Sequence, residues 1–148
     1  MKNPSPLVML RELAQKEVEK AVNQLGQVRQ AHQHAEQQLD MLLNYQHDYR
    51  QKLNTTMSDG MANNSWRNYQ QFIQTLDKAI EQHRQQLLQW TSRLDLAMKT
   101  WREKQQRLNA FETLQGRETT RQIAKDNRIE QKQMDEFAQR ASQRKTEL

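Results

Sequence analysis

Two runs of seven-residue apolar periodicity, separated by a single cluster of turn-forming residues, leave this chain little choice of fold. The first run interleaves Leu7, Ala14, Ala21, Val28, Ala35, Leu42 and Tyr49 with Arg11, Val18, Leu25, His32, Leu39, Gln46 and Leu53, in alternating steps of four and three. The second interleaves Trp66, Ile73, Ile80, Leu87, Leu94, Trp101 and Leu108 with Tyr69, Leu76, His83, Trp90, Ala97, Lys104 and Phe111. A repeat of 3.5 residues keeps one narrow stripe of a helix turned toward a partner helix, which is the pattern of a coiled-coil strand. No proline occurs after Pro6, so nothing in either run removes a backbone donor and breaks the helix. Composition agrees. Only 34% of the residues are hydrophobic and the mean hydropathy is −1.17, too little apolar surface for a thick core, while 24 glutamines make the chain polar without adding charge.

The turn formers gather in one place, from Asn54 through Thr55, Thr56, Ser58, Asp59 and Gly60 to Asn63, Asn64 and Ser65. A short connection between two amphipathic helices makes them antiparallel neighbours. The expected architecture is therefore all-α: a long antiparallel two-helix coiled-coil hairpin with a C-terminal helical overhang. Its segments are an N-terminal stretch at 1–5, a first helix at 6–55, a turn at 56–65, a second helix paired with the first at 66–115, and the overhang with a frayed tail at 116–148. Ser5 is placed to cap the first helix with Pro6 in its first turn, and Asn64 or Ser65 to cap the second. Gly116 weakens the root of the overhang, which carries Ile123, Ile129, Met134 and Phe137 but has no partner helix within the chain.

Register follows from which side chains fill each layer. Setting Leu42 against Ile80, Ala35 against Leu87, Val28 against Leu94 and Ala14 against Leu108 faces small residues with large ones. The same alignment brings Glu36 opposite Arg84 and Glu17 opposite Arg107. Sliding by one heptad opposes Arg29 with Arg84 and Glu36 with Asp77, both repulsive.

Several function classes lose support at this stage. A two-helix rod has no dry pocket in which catalytic groups converge, and no phosphate-binding glycine loop, nucleophile elbow or zinc-binding His pair on a helix occurs, so neither an enzyme nor a cofactor or metal site is expected. His32 and His83 fall on the seam and read as packed histidines, and His47 as a surface residue. Trp66, Trp90 and Trp101 are seam positions too. The absence of cysteine suits a reducing compartment, and no uncharged apolar stretch is long enough to cross a bilayer. The net charge of +5 is spread among 23 basic and 18 acidic residues. Arg121, Lys125, Arg128, Lys132, Arg140, Arg144 and Lys145 form a basic series in the overhang, but acids dilute it, and a solvated helix face is the favoured reading over nucleic-acid binding.

One region exceeds what a seam needs. Near the turn, the flanking positions are Gln38 and Tyr45 on the first helix and Phe72 and Ala79 on the second, all on one side of an antiparallel pair. With the seam residues Leu42, Tyr49, Leu76 and His83 they make an aromatic-rich patch. It is either a partner-binding surface or a set of rings covering the seam edge.

Some residues exceed periodicity in another way. The stretch Trp66, Tyr69, Phe72, Ile73, Leu76, Ala79, Ile80, His83, the segment from Leu13 to Val18, the run Gln38, Leu42, Tyr45, Tyr49, the group Trp101 to Lys104, and Gln131 with Met134 and Phe137 together resemble the flagellar export FliJ family over nearly the whole chain. The N-terminal segment from Met1 to Pro6 and the stretch from Glu118 to Asn127 show least family character. The resemblance implies a cytoplasmic, motility-related component of the flagellar type III export apparatus, associated with the inner face of the cell membrane. It implies a stalk-like hairpin coupling the hexameric export ATPase FliI to the cytoplasmic part of the export gate FlhA and interacting with export chaperones, with the patch Gln38, Leu42, Tyr45, Tyr49, Phe72, Leu76, Ala79 and His83 as the gate-facing surface. The alternative is a generic coiled-coil export chaperone or cargo escort that acts without the ATPase.

Overall fold

In a computed structural model, residues 5–60 and 63–146 are described. They form two long helices packed against each other, α1 at Pro6–Ser58 and α2 at Asn63–Thr146, with no strand among the described residues. The chain divides into two compact units, one of Met1–Val18 with Lys104–Leu148 and the other of Glu19–Glu103.

The start of α1 follows from its sequence. The backbone N–H of Val8 donates to Ser5 Oγ at 3.4 Å, and the Val8 and Met9 N–H groups reach the Ser5 carbonyl at 3.0 and 3.3 Å, so Ser5 caps the helix and Pro6 opens it. The other end differs from expectation. Thr55, Thr56 and Ser58 donate their hydroxyls to the carbonyls of Gln51, Lys52 and Asn54 at 3.0, 2.7 and 3.0 Å, so their side chains bond the preceding helical turn and α1 runs on to Ser58. Gly60, with φ +87°, lies just past the helix end, where left-handed backbone suits a residue without Cβ. On the far side, α2 already includes Asn63, so Asn64 and Ser65 are helical residues and not its cap. The remaining turn positions, Met61 and Ala62, lie outside the described residues, as do Met1–Pro4 and the last two positions of the tail.

In the unit containing Glu19–Glu103, Leu39, Leu76 and Ile80 form a buried cluster with Leu42, Leu43 and Leu87 packed against it. In the other unit, Ala14, Val18 and Leu108 do the same with Phe111. These clusters contain the expected pairs Leu42 with Ile80 and Ala14 with Leu108. Asp77 meets Gln46 and Arg50, not Glu36, so the register slipped by one heptad is not adopted. Antiparallel order is plain inside each unit: Arg11 pairs with Glu112 at 3.9 Å and Glu17 with Lys104 at 3.3 Å in one, and His32 faces Thr91 at 3.1 Å in the other.

Two flank pairings come out differently. Glu17 meets Lys104 in place of Arg107, because the long Lys104 stem lies along the seam and lifts its ammonium to the edge one turn earlier. Glu36 meets His32, four positions back on the same helix, at 3.3 Å. His32 thus has both ring nitrogens engaged, as a packed seam histidine does. Trp66, Trp90 and Trp101 are half-buried, and Arg93 lies over the Trp90 ring at 4.7 Å.

Helix α2 passes through Gly116 without interruption, and every residue from Gly116 to Thr146 is exposed. Among the described residues, no helix is long and apolar enough to cross a membrane.

Candidate functional site

The unit of Glu19–Glu103 carries an aromatic cluster centred on Tyr49. A seam position on α1, Tyr49 stacks on Phe72 of α2 with centroids 4.3 Å apart and planes at 25°. It meets Tyr69 at 5.9 Å in a tilted arrangement and Tyr45, one turn earlier on its own helix, at 6.4 Å. Four rings thereby share one side of the pair, and each such contact contributes about 0.5–1.5 kcal/mol beyond buried area.

The eight residues singled out from the sequence do not share one environment. Gln38 and Tyr45 are exposed, Tyr45 to 56%, and Phe72 is exposed to 40%. Leu42, Tyr49, Ala79 and His83 are half-buried, and Leu76 is buried in the Leu39–Ile80 cluster. The exposed part of this set is therefore Tyr45, Gln38 and the outer face of Phe72, with Tyr49, Ala79 and His83 at its margin. Leu76 acts from beneath, as packing. Phe72 also has more to bury against than a flank position was expected to have, because the Tyr49 ring turns toward it. Tyr69 belongs to the cluster and was not among the eight. Its seam position suggested core alone, although its place one turn before Phe72 and one layer from Tyr49 was readable as a clue.

The two sides of this region contrast chemically. Away from the rings, Asp77 accepts a hydrogen bond from the Gln46 amide and lies 3.8 Å from the Arg50 guanidinium, a polar flank whose groups satisfy one another. The aromatic flank has no such internal saturation: exposed Tyr45 and Phe72 keep apolar area in water, which favours contact with another surface. No group of His, Asp or Glu able to hold a metal occurs among the described residues.

A second exposed apolar set lies in the other unit, on α2 beyond Gln115. Ile123, Ile129, Met134 and Phe137 are exposed to between 48% and 75% there, with Phe137 the most open.

The family model of the flagellar FliJ protein matches residues 1–147. The chain belongs to the flagellar FliJ family. The FliJ match includes Met1–Pro6 and Glu118–Asn127, the two stretches in which the family character is least visible by eye. The chain is 59% identical over 141 residues to the flagellar FliJ protein of Salmonella typhi, and 57% identical over 141 residues to that of Escherichia coli strain K12, covering 95% of this chain and 96% of each relative. FliJ membership makes the chain a component of flagellar protein export.

Proposed function

We propose that this protein acts in flagellar export as a stalk-like coupler between the hexameric export ATPase FliI and the cytoplasmic part of the export gate FlhA, and that it also engages export chaperones. The observation that carries the reading is the helix from Gly116 to Thr146, which is continuous, wholly exposed, and studded with Ile123, Ile129, Met134 and Phe137. A lone helix of this composition gains little from folding by itself, and burial of those four side chains in an ATPase ring supplies what the chain lacks internally. The aromatic cluster around Tyr49, on the other unit, supplies a separate surface for the gate. Its binding set is Tyr45, Phe72 and Gln38, with Leu42, Tyr49, Ala79 and His83 at the margin and Leu76 holding them from below. By this reading the protein is not an enzyme, and it sits in the cytoplasm beside the membrane through its partners.

The experiment is a turnover assay of purified FliI with and without the chain. Coupling predicts faster ATP hydrolysis with the full chain and none of that stimulation after truncation at Gln115. Unchanged turnover with the full chain, combined with capture of export chaperones, would establish the escort reading instead.

A further inference from the structure

Beyond Gly116 five of the eight basic residues of α2 fall in register. Arg117, Arg121, Lys125, Arg128 and Lys132 follow one another at intervals of four, four, three and four residues. At 3.6 residues per turn these positions fall within about 80° of arc, on a strip roughly 20 Å long. Ile123, Met134 and Phe137 project on the opposite side of the helix. All five cations are exposed, and none makes an ion pair among the described residues.

Such an order is unfavourable in the free chain. Each neighbouring pair in the strip stands at an i,i+3 or i,i+4 spacing, where like charges repel and destabilise an isolated helix, and the acids at matching spacing are confined to Glu118 before Arg121 and to Asp135 and Glu136 after Lys132. Helix formers without charge are plentiful in this sequence, so solubility alone does not call for four successive repulsive pairs. The arrangement becomes favourable once carboxylates lie along the strip.

We infer that this strip is a docking surface for an acidic protein helix, one that presents carboxylates at three- and four-residue spacing and pairs with the cations turn by turn. Three features favour that occupant over other polyanions. The strip is narrow, bordered by Glu118 on one edge and with Asp126 and Glu130 on the far side of the helix, whereas a helix seated in a nucleic-acid groove meets phosphates on both flanks. Asp135 falls on the same face just past Lys132 and ends the strip, which sets a defined length and suits a helix of matching extent. Ile123, Met134 and Phe137 lie opposite the cations with Asp126 and Glu130 among them, and Ile129 stands apart on a flank, so the helix cannot lay an uninterrupted apolar face into a bilayer. The inference stands whether or not the overhang occupies an ATPase ring.

The test uses the full chain and three probes: a labelled synthetic helical peptide with glutamates at matching spacing, duplex DNA, and vesicles containing phosphatidylglycerol. The expected result is salt-sensitive binding of the acidic peptide that falls about tenfold or more when Arg121, Lys125 and Arg128 are replaced by Glu. Replacing Arg140, Arg144 and Lys145 by Glu, the same change in net charge away from the strip, should leave peptide binding within about twofold. Lys125→Glu alone separates docking from folding: it should raise the helicity of the free chain, by relieving repulsion with Arg121 and Arg128, while weakening the peptide complex. Equal loss with both triple variants, or tighter binding of DNA or vesicles than of the peptide, overturns the inference.

Discussion

Tyr49 and Phe72 stack across the helix pair with ring centroids 4.3 Å apart, joining a seam position on α1 to a flank position on α2. The consequence is that two exposed aromatic residues of one patch differ in what their removal does. Phe72→Ala deletes an interhelix stack and should destabilise the chain by about 1–2 kcal/mol, read as a lower denaturant midpoint. Tyr45→Ala removes a ring exposed to 56%, whose one ring contact among the described residues is within its own helix, and should shift the midpoint little. If the patch docks the gate, both weaken that binding. Full-strength gate binding by Tyr45→Ala would reduce the patch to edging of the seam.

Register is open to a chemical check. Cysteines in place of Gln46 and Asp77, whose side chains touch, should form a disulfide on mild oxidation. A pair in place of Arg29 and Arg84 should stay reduced. The reverse outcome would mean that the helices pair one heptad away from the arrangement described.

Gly60 offers a backbone test. Its φ of +87° is disfavoured for any residue with a Cβ, yet nothing lies within 4 Å of where that Cβ would stand. Gly60→Ala should therefore cost about 1–2 kcal/mol through conformation alone. A calorimetric midpoint equal to that of the parent would show that the turn readjusts freely.

Removal of residues 116–148 should lower the total helical signal in proportion to the deleted length and leave the melting of the remainder nearly unchanged. The reason is that no described residue in that stretch is buried against anything. A large drop in melting temperature would reveal that the overhang supports the paired region.

The seam was almost wholly legible in the sequence. Each heptad position named from Leu7 to Leu53 and from Trp66 to Phe111 is buried or half-buried, because a period of 3.5 admits only one stripe to the partner helix. The ends of the helices near the turn were less legible: Thr55, Thr56 and Ser58 have turn-forming character, but their hydroxyls can also bond the preceding helical turn, and composition does not say which choice is made. The partners that Glu17 and Glu36 take were not legible, because long side chains select among several groups at similar height, a matter of rotamers and not of periodicity. Within the aromatic patch, the position of each residue on the helix was readable, while the turn of the Tyr49 ring toward Phe72 and Tyr69 was not.

Among the described residues no large side chain is fully buried, and the cores are thin clusters such as Ala14, Val18 and Leu108. Such a protein should tolerate changes of residue identity far better than changes of spacing during its evolution. A substitution in one thin layer disturbs only its immediate neighbours, whereas inserting a single residue turns everything after it by about 100° and carries the stripe off its partner. Gaining or losing seven residues turns the helix by only about 20°. On this geometry, insertions and deletions inside the paired helices should come as whole heptads matched on both helices, while residue identities drift more freely.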